Sequence, residues 1–333
     1  MLTATEMNQC HWALLLDEVL VHIFQHSSHE DLPKAAIVCR AWNEPALRII
    51  WERMDLVDFL KVFRGVTWRD ECLHFDKGCT EKNLDRLILY GSWIKTLCLY
   101  DWPHNTIVDE LRSIIAQLPQ PLLPLLHELQ IPLLDPIPEE TDGSYALVFA
   151  GPMLRKLFYG PHCKTATAFC MQIPTLSPFL EELDLLICDV VESSTLTVIS
   201  EMLARPPALR LVEIEGTDSD HDFDAILSIL AGHKHLEELR LEGIGLVPSH
   251  PASYRRGFGS LHRLTLISCP GTTSFFERLS SLSELTHIRV ADSYMSSCAI
   301  VEFSQVVGTF EPLESLILQG YGVGLEGLPV EAL

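Results

Sequence analysis

One short apolar phrase recurs along most of this chain and limits what it can fold into. It reads apolar, two residues, apolar, one residue, apolar. Its last two apolar positions fall at Leu97/Leu99, Leu129/Ile131, Leu157/Tyr159, Leu183/Leu185, Val212/Ile214, Leu239/Leu241, Leu264/Leu266, Ile288/Val290 and Leu316/Leu318. Successive copies stand 24 to 32 residues apart, with a mean of about 27. One match alone carries no weight, because 47% of the 333 residues are hydrophobic. Leucine at all three places is stricter, and 54 leucines supply about 1.4 such matches by chance. Five occur, four of them in the spaced series, beginning at residues 180, 236, 261 and 313. The fifth, Leu84–Leu89, is out of phase and reads as helix.

Helical spacing fills the intervals. Leu111, Ile114, Ile115 and Leu118 share one face, as do Leu196, Ile199 and Leu203; Ala225–Leu230, Phe275–Leu279 and Phe303–Phe310 behave alike. One strand and one helix per period of this length resembles leucine-rich repeats. The resemblance implies a curved solenoid with a concave parallel sheet and convex helices. Such repeats favour asparagine or cysteine three residues after the strand, turned toward the backbone. Cys188 and Cys269 stand there, with Thr217 and Ser293 as small polar substitutes. The remaining copies have no such residue, so the array is irregular. Prolines 119, 121, 124, 132, 136 and 138 and the acids Asp135, Glu139, Glu140 and Asp142 mark an insertion near 119–143, read as a loop.

Ahead of the array, residues 14–54 read as three short amphipathic helices. Val19, Leu20, Ile23 and Phe24 share a face behind the acids Asp17 and Glu18. Asp31 caps a second helix with Pro33 in its first turn, and Trp42, Leu47, Ile50 and Trp51 line a third, with Pro45 near its start. Some forty residues bury too little apolar surface to be robust alone, so another chain should complete this module. The stretch LLLDEVLVHIFQHSSHEDLPKAAIVCRAWNEPALRIIWERM resembles an F-box, through Asp17–Phe24, the Asp31–Leu32 step and Val38–Trp42. Its continuation PALRIIWERM is similar to F-box proteins of basidiomycete fungi. One departure is Leu16, which fills a slot where the family usually has proline. The resemblance implies docking onto the Skp-type adaptor of a Skp–cullin–F-box (SCF) ubiquitin ligase. The docking residues would be Leu20, Ile23, Phe24, Leu32, Val38 and Trp42, with Leu16, Val19 and Cys39 beside them.

Charge narrows the partners. With 24 basic and 45 acidic side chains the net charge is −21, a field that repels nucleic acid and anionic membrane. No apolar run approaches the ~18 residues of a membrane span, and no basic stretch precedes Trp12–Leu16 as in a secretory signal, so an intracellular site, cytoplasmic or nuclear, is expected. Ten cysteines without a CxxC then read as reduced, mostly buried thiols.

Chemical motifs fail one by one. Asp218–Asp224 spaces carboxylates like a calcium loop, but Phe223 replaces the required glycine and Ile229 the closing glutamate. An acidic turn capping the helix from Ala225 is expected there. The fourteen histidines show no zinc spacing, and phosphate-loop, nucleophile-elbow and dinucleotide signatures are missing. No cofactor, metal site or catalytic residue is expected, and the chain reads as a non-enzyme.

The residues between the strand leucines would face the open side of the sheet. Glu182, Asp184, Glu213, Glu215, Glu238, Arg240 and Glu242 make its middle acidic, while Arg263 and Arg289 begin a more basic end. A protein substrate with a basic segment over the centre is expected. The sequence thus predicts an α/β chain: an F-box-like helical module at 10–55, a helical connector at 56–84, and an irregular leucine-rich-repeat solenoid at 85–333. Two functions stay open. One is the substrate-recognition subunit of an SCF ligase, linked through the adaptor to a cullin–RING assembly. The other is a non-ligase protein-binding scaffold whose N-terminal helices only cap the solenoid.

Overall fold

The computed structural model describes residues 16–62, 66–69, 72–75, 81–99, 121–132, 143–160, 166–187, 193–216, 223–246, 257–279, 284–292, 307 and 312–320. The chain divides into two compact units, Met1–His127 and Glu128–Leu333.

The first unit opens with α1 (Asp17–Gln25), α2 (Leu32–Ala36) and α3 (Arg40–Glu52). Leu20 and Phe24, four residues apart, project from one face of α1 onto Leu32, Ala36 and Ala46. Trp42 closes this core edge-on to Phe24, with ring centres 5.5 Å apart. Asp31 stands at the predicted cap position, yet its carboxylate accepts from Ser28 Oγ and Lys34 Nζ and no helix N–H. Those two bonds hold its acid below the usual carboxylate range. Pro45 lies well inside α3, against the expectation of a place near its start. As the sixth residue of α3 it lies past the first turn, so its missing N–H removes one interior helical hydrogen bond.

Beyond α3 come β1 (Arg53–Asp55), α4 (Leu56–Lys61), β2 (Val66–Arg69), β3 (Cys72–Phe75), α5 (Glu81–Gly91) and β4 (Thr96–Cys98). β1 runs parallel to β4, and β2 pairs antiparallel with β3. Asp55 caps α4 by accepting from the Val57 amide. The predicted helical connector is therefore only partly helical. Val66, Thr67, Trp68 and Phe75 are β-branched and aromatic, the residue types that suit a pleated surface. The out-of-phase Leu84–Leu89 phrase lies in α5, a helix as predicted.

The second unit carries β5 (Glu128–Ile131), a 3-10 helix (Gly143–Val148), β6 (Lys156–Tyr159), α6 (Ala166–Leu176), β7 (Glu182–Ile187), α7 (Ser193–Leu203), β8 (Leu211–Gly216), α8 (Asp224–Ala231), β9 (Glu238–Glu242), β10 (Arg263–Ile267), α9 (Thr272–Leu279), β11 (His287–Asp292) and β12 (Ser315–Gly320). β5 to β12 form a parallel sheet in chain order. Every recurring apolar pair in this unit lands on a strand, and the pairs stand in register: Leu129, Leu157, Leu183, Val212, Leu239, Leu264, Ile288 and Leu316 make one row. All but the last of these are buried; Leu316 and Leu318 on β12 are half-buried. Three predicted helices appear as α7, α8 and α9. The segments Leu111–Leu118 and Phe303–Phe310 lie outside the described residues except Val307. α6 was not foreseen; its Phe169, Cys170 and Ile173 are buried.

Just before each of β6 to β11, one carbonyl receives two consecutive amides from the next strand's approach. Glu181 and Glu182 donate to Arg155 O at 2.8 and 2.9 Å, and Glu237 and Glu238 donate to Arg210 O at the same distances. Cys269 sits as predicted: its buried thiol reaches Leu241 O at 3.4 Å and Ile267 O at 3.3 Å, joining neighbouring strands. Cys188, Thr217, Ser293, the acidic part of the 119–143 insertion and most of the Asp218–Asp224 run lie outside the described residues. Asp224 heads α8, but the N-cap position itself falls to Phe223, with no side-chain cap.

Candidate functional site

Two surfaces stand out, one on each unit. On the first, α2 ends at Ala36, and the following turn carries Ile37, Val38 and Cys39 outward. Ile37 is 84% exposed and Val38 62%. Asn43 Nδ2 donates to Ala36 O at 2.7 Å and fixes this turn away from the core. Leu16 and Ile23 add partly exposed apolar surface at the start and on the outer face of α1. Val19 and Trp42 are half-buried.

This arrangement divides the residues expected to dock into buried and exposed ones. Leu20, Phe24 and Leu32, expected to dominate docking, are almost fully buried in the module's own interior. They hold the helices together and present nothing for a partner to touch. Leu16, Ile23, Val38 and Cys39 are exposed as a contact surface requires. Ile37 was missed. The signal was there, because Ala36, Ile37 and Val38 are consecutive and one small core cannot receive all three directions.

On the second unit, one side of the sheet holds the buried rows and the other is open. The residues predicted to face outward are half-exposed or exposed: Glu182, Asp184, Glu213, Glu238, Arg240 and Glu242 are intermediate, and Glu215, Arg263 and Arg289 more open. Register brings them into rows. Asp184, Glu213 and Arg240 stand side by side on β7, β8 and β9, with Glu215 beside Glu242 one step further along. Arg240 serves two acids. Its Nε lies 3.1 Å from Glu213 Oε1, at ion-pair distance without hydrogen-bond alignment, and its Nη2 3.5 Å from Glu242 Oε2. Burial, then the neighbouring charges of Glu213 and Glu215, pushes the Asp184 carboxyl up to about 6. Burial likewise raises Glu213 against the pull of Arg240.

A groove of about 620 Å³ crosses the beginnings of β7 to β11. Its glutamates each have a cation: Arg155 for Glu181, Lys156 for Glu182, Arg210 for Glu237 and Arg263 for Glu238. The pair between Arg210 and Glu237 is bidentate, at 3.1 and 2.8 Å, and it raises the guanidinium and lowers the acid. Arg289, toward the far edge, donates to Gln319 Oε1 at 3.0 Å. Among the described residues no group of three histidines, cysteines or acids is placed to hold a metal. His22 and His26 meet edge-on along α1, and His233, whose Nε2 lies 2.8 Å from Leu203 O, is shifted down by burial. No described helix is long and apolar enough to cross a membrane.

Comparison with known families concerns the first unit. Residues 14–57 match the F-box-like family model, spanning α1, α2, α3, β1 and the start of α4. An F-box-like domain points to a substrate-adaptor role, because such domains generally bind the Skp-type adaptor of cullin–RING ligases. No curated protein is significantly similar to the chain.

Proposed function

We propose that this protein is the substrate-recognition subunit of an SCF-type ubiquitin ligase. In this reading Leu16, Ile23, Ile37 and Val38 dock the adaptor. The second unit is an irregular leucine-rich-repeat solenoid whose open sheet face holds a protein substrate. The chain itself makes and breaks no bonds; it raises the concentration of substrate near the ubiquitin-loaded enzyme.

The observation that carries this is the pinned turn at Ile37 and Val38. Two adjacent aliphatic side chains stand 84% and 62% exposed within residues that match an F-box. Large apolar side chains held in water by a hydrogen-bonded turn mark a surface that is covered in a complex. A helical cap for a solenoid would turn such residues toward the array's end, so the scaffold reading leaves them without a purpose.

Calorimetry with the Skp-type adaptor from the same source tests it. Association at micromolar strength or better is expected, with a loss of at least about a hundredfold in Ile37→Asp plus Val38→Asp. That variant should keep its circular-dichroism melt, since both positions lie outside the core. A well-folded protein that ignores the adaptor would sink the ligase reading and leave the scaffold.

A further inference from the structure

We propose that the open face of β7, β8 and β9 binds an extended segment of a partner protein with two basic side chains at alternate positions. One would sit between Asp184 and Glu213, the other between Glu215 and Glu242. This rests on the reading of that face as the substrate surface; it does not depend on the adaptor.

The argument is one of charge by row. In the first row, at the strand beginnings, Glu182 and Glu238 each have a cation, Lys156 and Arg263. In the second and third rows Asp184, Glu213, Glu215 and Glu242 have, among the described residues, only Arg240 at ion-pair distance, where it reaches Glu213 and Glu242; Lys156 acts on Asp184 and Glu213 from further off. No described cation lies within ion-pair distance of Asp184 or Glu215. The shortage is thus confined to two rows of a partly buried face, where water screens charge less than at an open surface. Burial first, and the same crowding by Glu213 and Glu215 second, displaces Asp184 upward. An incoming cation gains most where a fixed carboxylate lacks one.

Geometry then selects the occupant. The two sites are one alternate-residue step apart along the strands, about 6.6 Å, and one strand apart across the sheet, about 4.8 Å, so their centres lie about 8 Å apart on a diagonal. Side chains at alternate positions of an extended peptide leave it on one side about 6.6 Å apart, and the long stems of arginine or lysine span the remainder, whereas adjacent side chains point to opposite sides. Phe158 stands in register beside Asp184, and Leu186 beside Glu215. Both are half-exposed, so the rows end in apolar walls on which the stem of arginine or lysine can lie.

Two blocked peptides of equal composition test this: Gly-Arg-Gly-Arg-Gly and Gly-Arg-Arg-Gly-Gly, titrated into the full chain at pH 7.5 and physiological salt. The alternating peptide should bind at least about fivefold more tightly. Asp184→Asn plus Glu215→Gln should erase that preference. Asp85→Asn plus Glu201→Gln, which removes the same charge from exposed sites elsewhere, should keep it. Equal affinities, no binding of either peptide, or a preference that survives Asp184→Asn plus Glu215→Gln would overturn the proposal. Adaptor titrations on the same preparations separate the two readings. Adaptor binding without peptide preference removes this proposal alone, and the reverse result removes the ligase alone.

Discussion

Replacing Asp184 with asparagine should stabilise this protein at neutral pH, an unusual outcome for a partly buried polar substitution. The carboxyl is raised from 3.8 to about 6 by burial first and by Glu213 and Glu215 after that. A shift of that size corresponds to about 3 kcal/mol against the ionised form. The side chain is only partly enclosed, and solvent screening cuts the figure to roughly 1 kcal/mol. The sign follows from linkage. The folded acid holds its proton more tightly than the unfolded one, so the penalty is complete above pH 6. It shrinks as pH falls through 6 and is gone below about 3.8. The substituted amide has no charge to penalise, so its advantage should be full at pH 7.5 and much smaller at pH 4.5. Urea titration followed by far-UV circular dichroism reads this directly. All six tryptophans, the last at Trp102, precede the second unit, so their emission is the wrong probe. With a slope near 3 kcal/mol/M the midpoint should rise by about 0.3 M at pH 7.5. An unchanged or lower midpoint there, or the same gain at both pH values, would refute the account of crowded carboxylates.

Leu20→Ala should cost about 2–5 kcal/mol by opening a cavity between α1 and α3, a loss visible as a lower melting temperature of the N-terminal helices. Set beside the outward Ile37 and Val38 changes, it separates residues that build the module from residues that present it. Gly243→Ala should cost at least about 2 kcal/mol in the same urea assay. Gly243 has φ +65°, and a Cβ there would stand 2.0 Å from Gly216 O, so both backbone and neighbour must shift; a neutral result would show that the turn relaxes freely.

What could be seen in the sequence was whatever a period decides. A buried row needs an apolar residue at the same place in each copy, and parallel register then stacks Leu183 on Val212 and Leu239 without further information. Cys269 was legible for the same reason, since its place in the period fixes where its thiol turns. The antiparallel pair β2 and β3 breaks that period, and a short aromatic run between helices offers only local preference. α6 was obscured by Pro174, which sits inside the helix near its end and argues against helix from sequence alone.

The candidate sites were legible in a different and weaker way. Sequence spacing gave the face of α1 but not its direction: Leu20 and Phe24 share a stripe with Ile23, yet only Ile23 is left exposed. Which part of a stripe faces inward depends on where α2 and α3 cross it, and that is set by packing among all three helices. On the sheet the problem is one of partners. The acids of β7, β8 and β9 could be read as outward from alternation, but Glu237 and Glu213 look alike in sequence. The first meets Arg210 in a bidentate pair, whereas the second shares Arg240 with Glu242. That difference comes from the neighbouring strand some 27 residues away and from which row each side chain joins. Net charge therefore says that the protein is acidic, and register says where the acidity is left uncompensated. It is the second property, at Asp184, Glu213, Glu215 and Glu242, on which the proposed basic partner and its spacing rest.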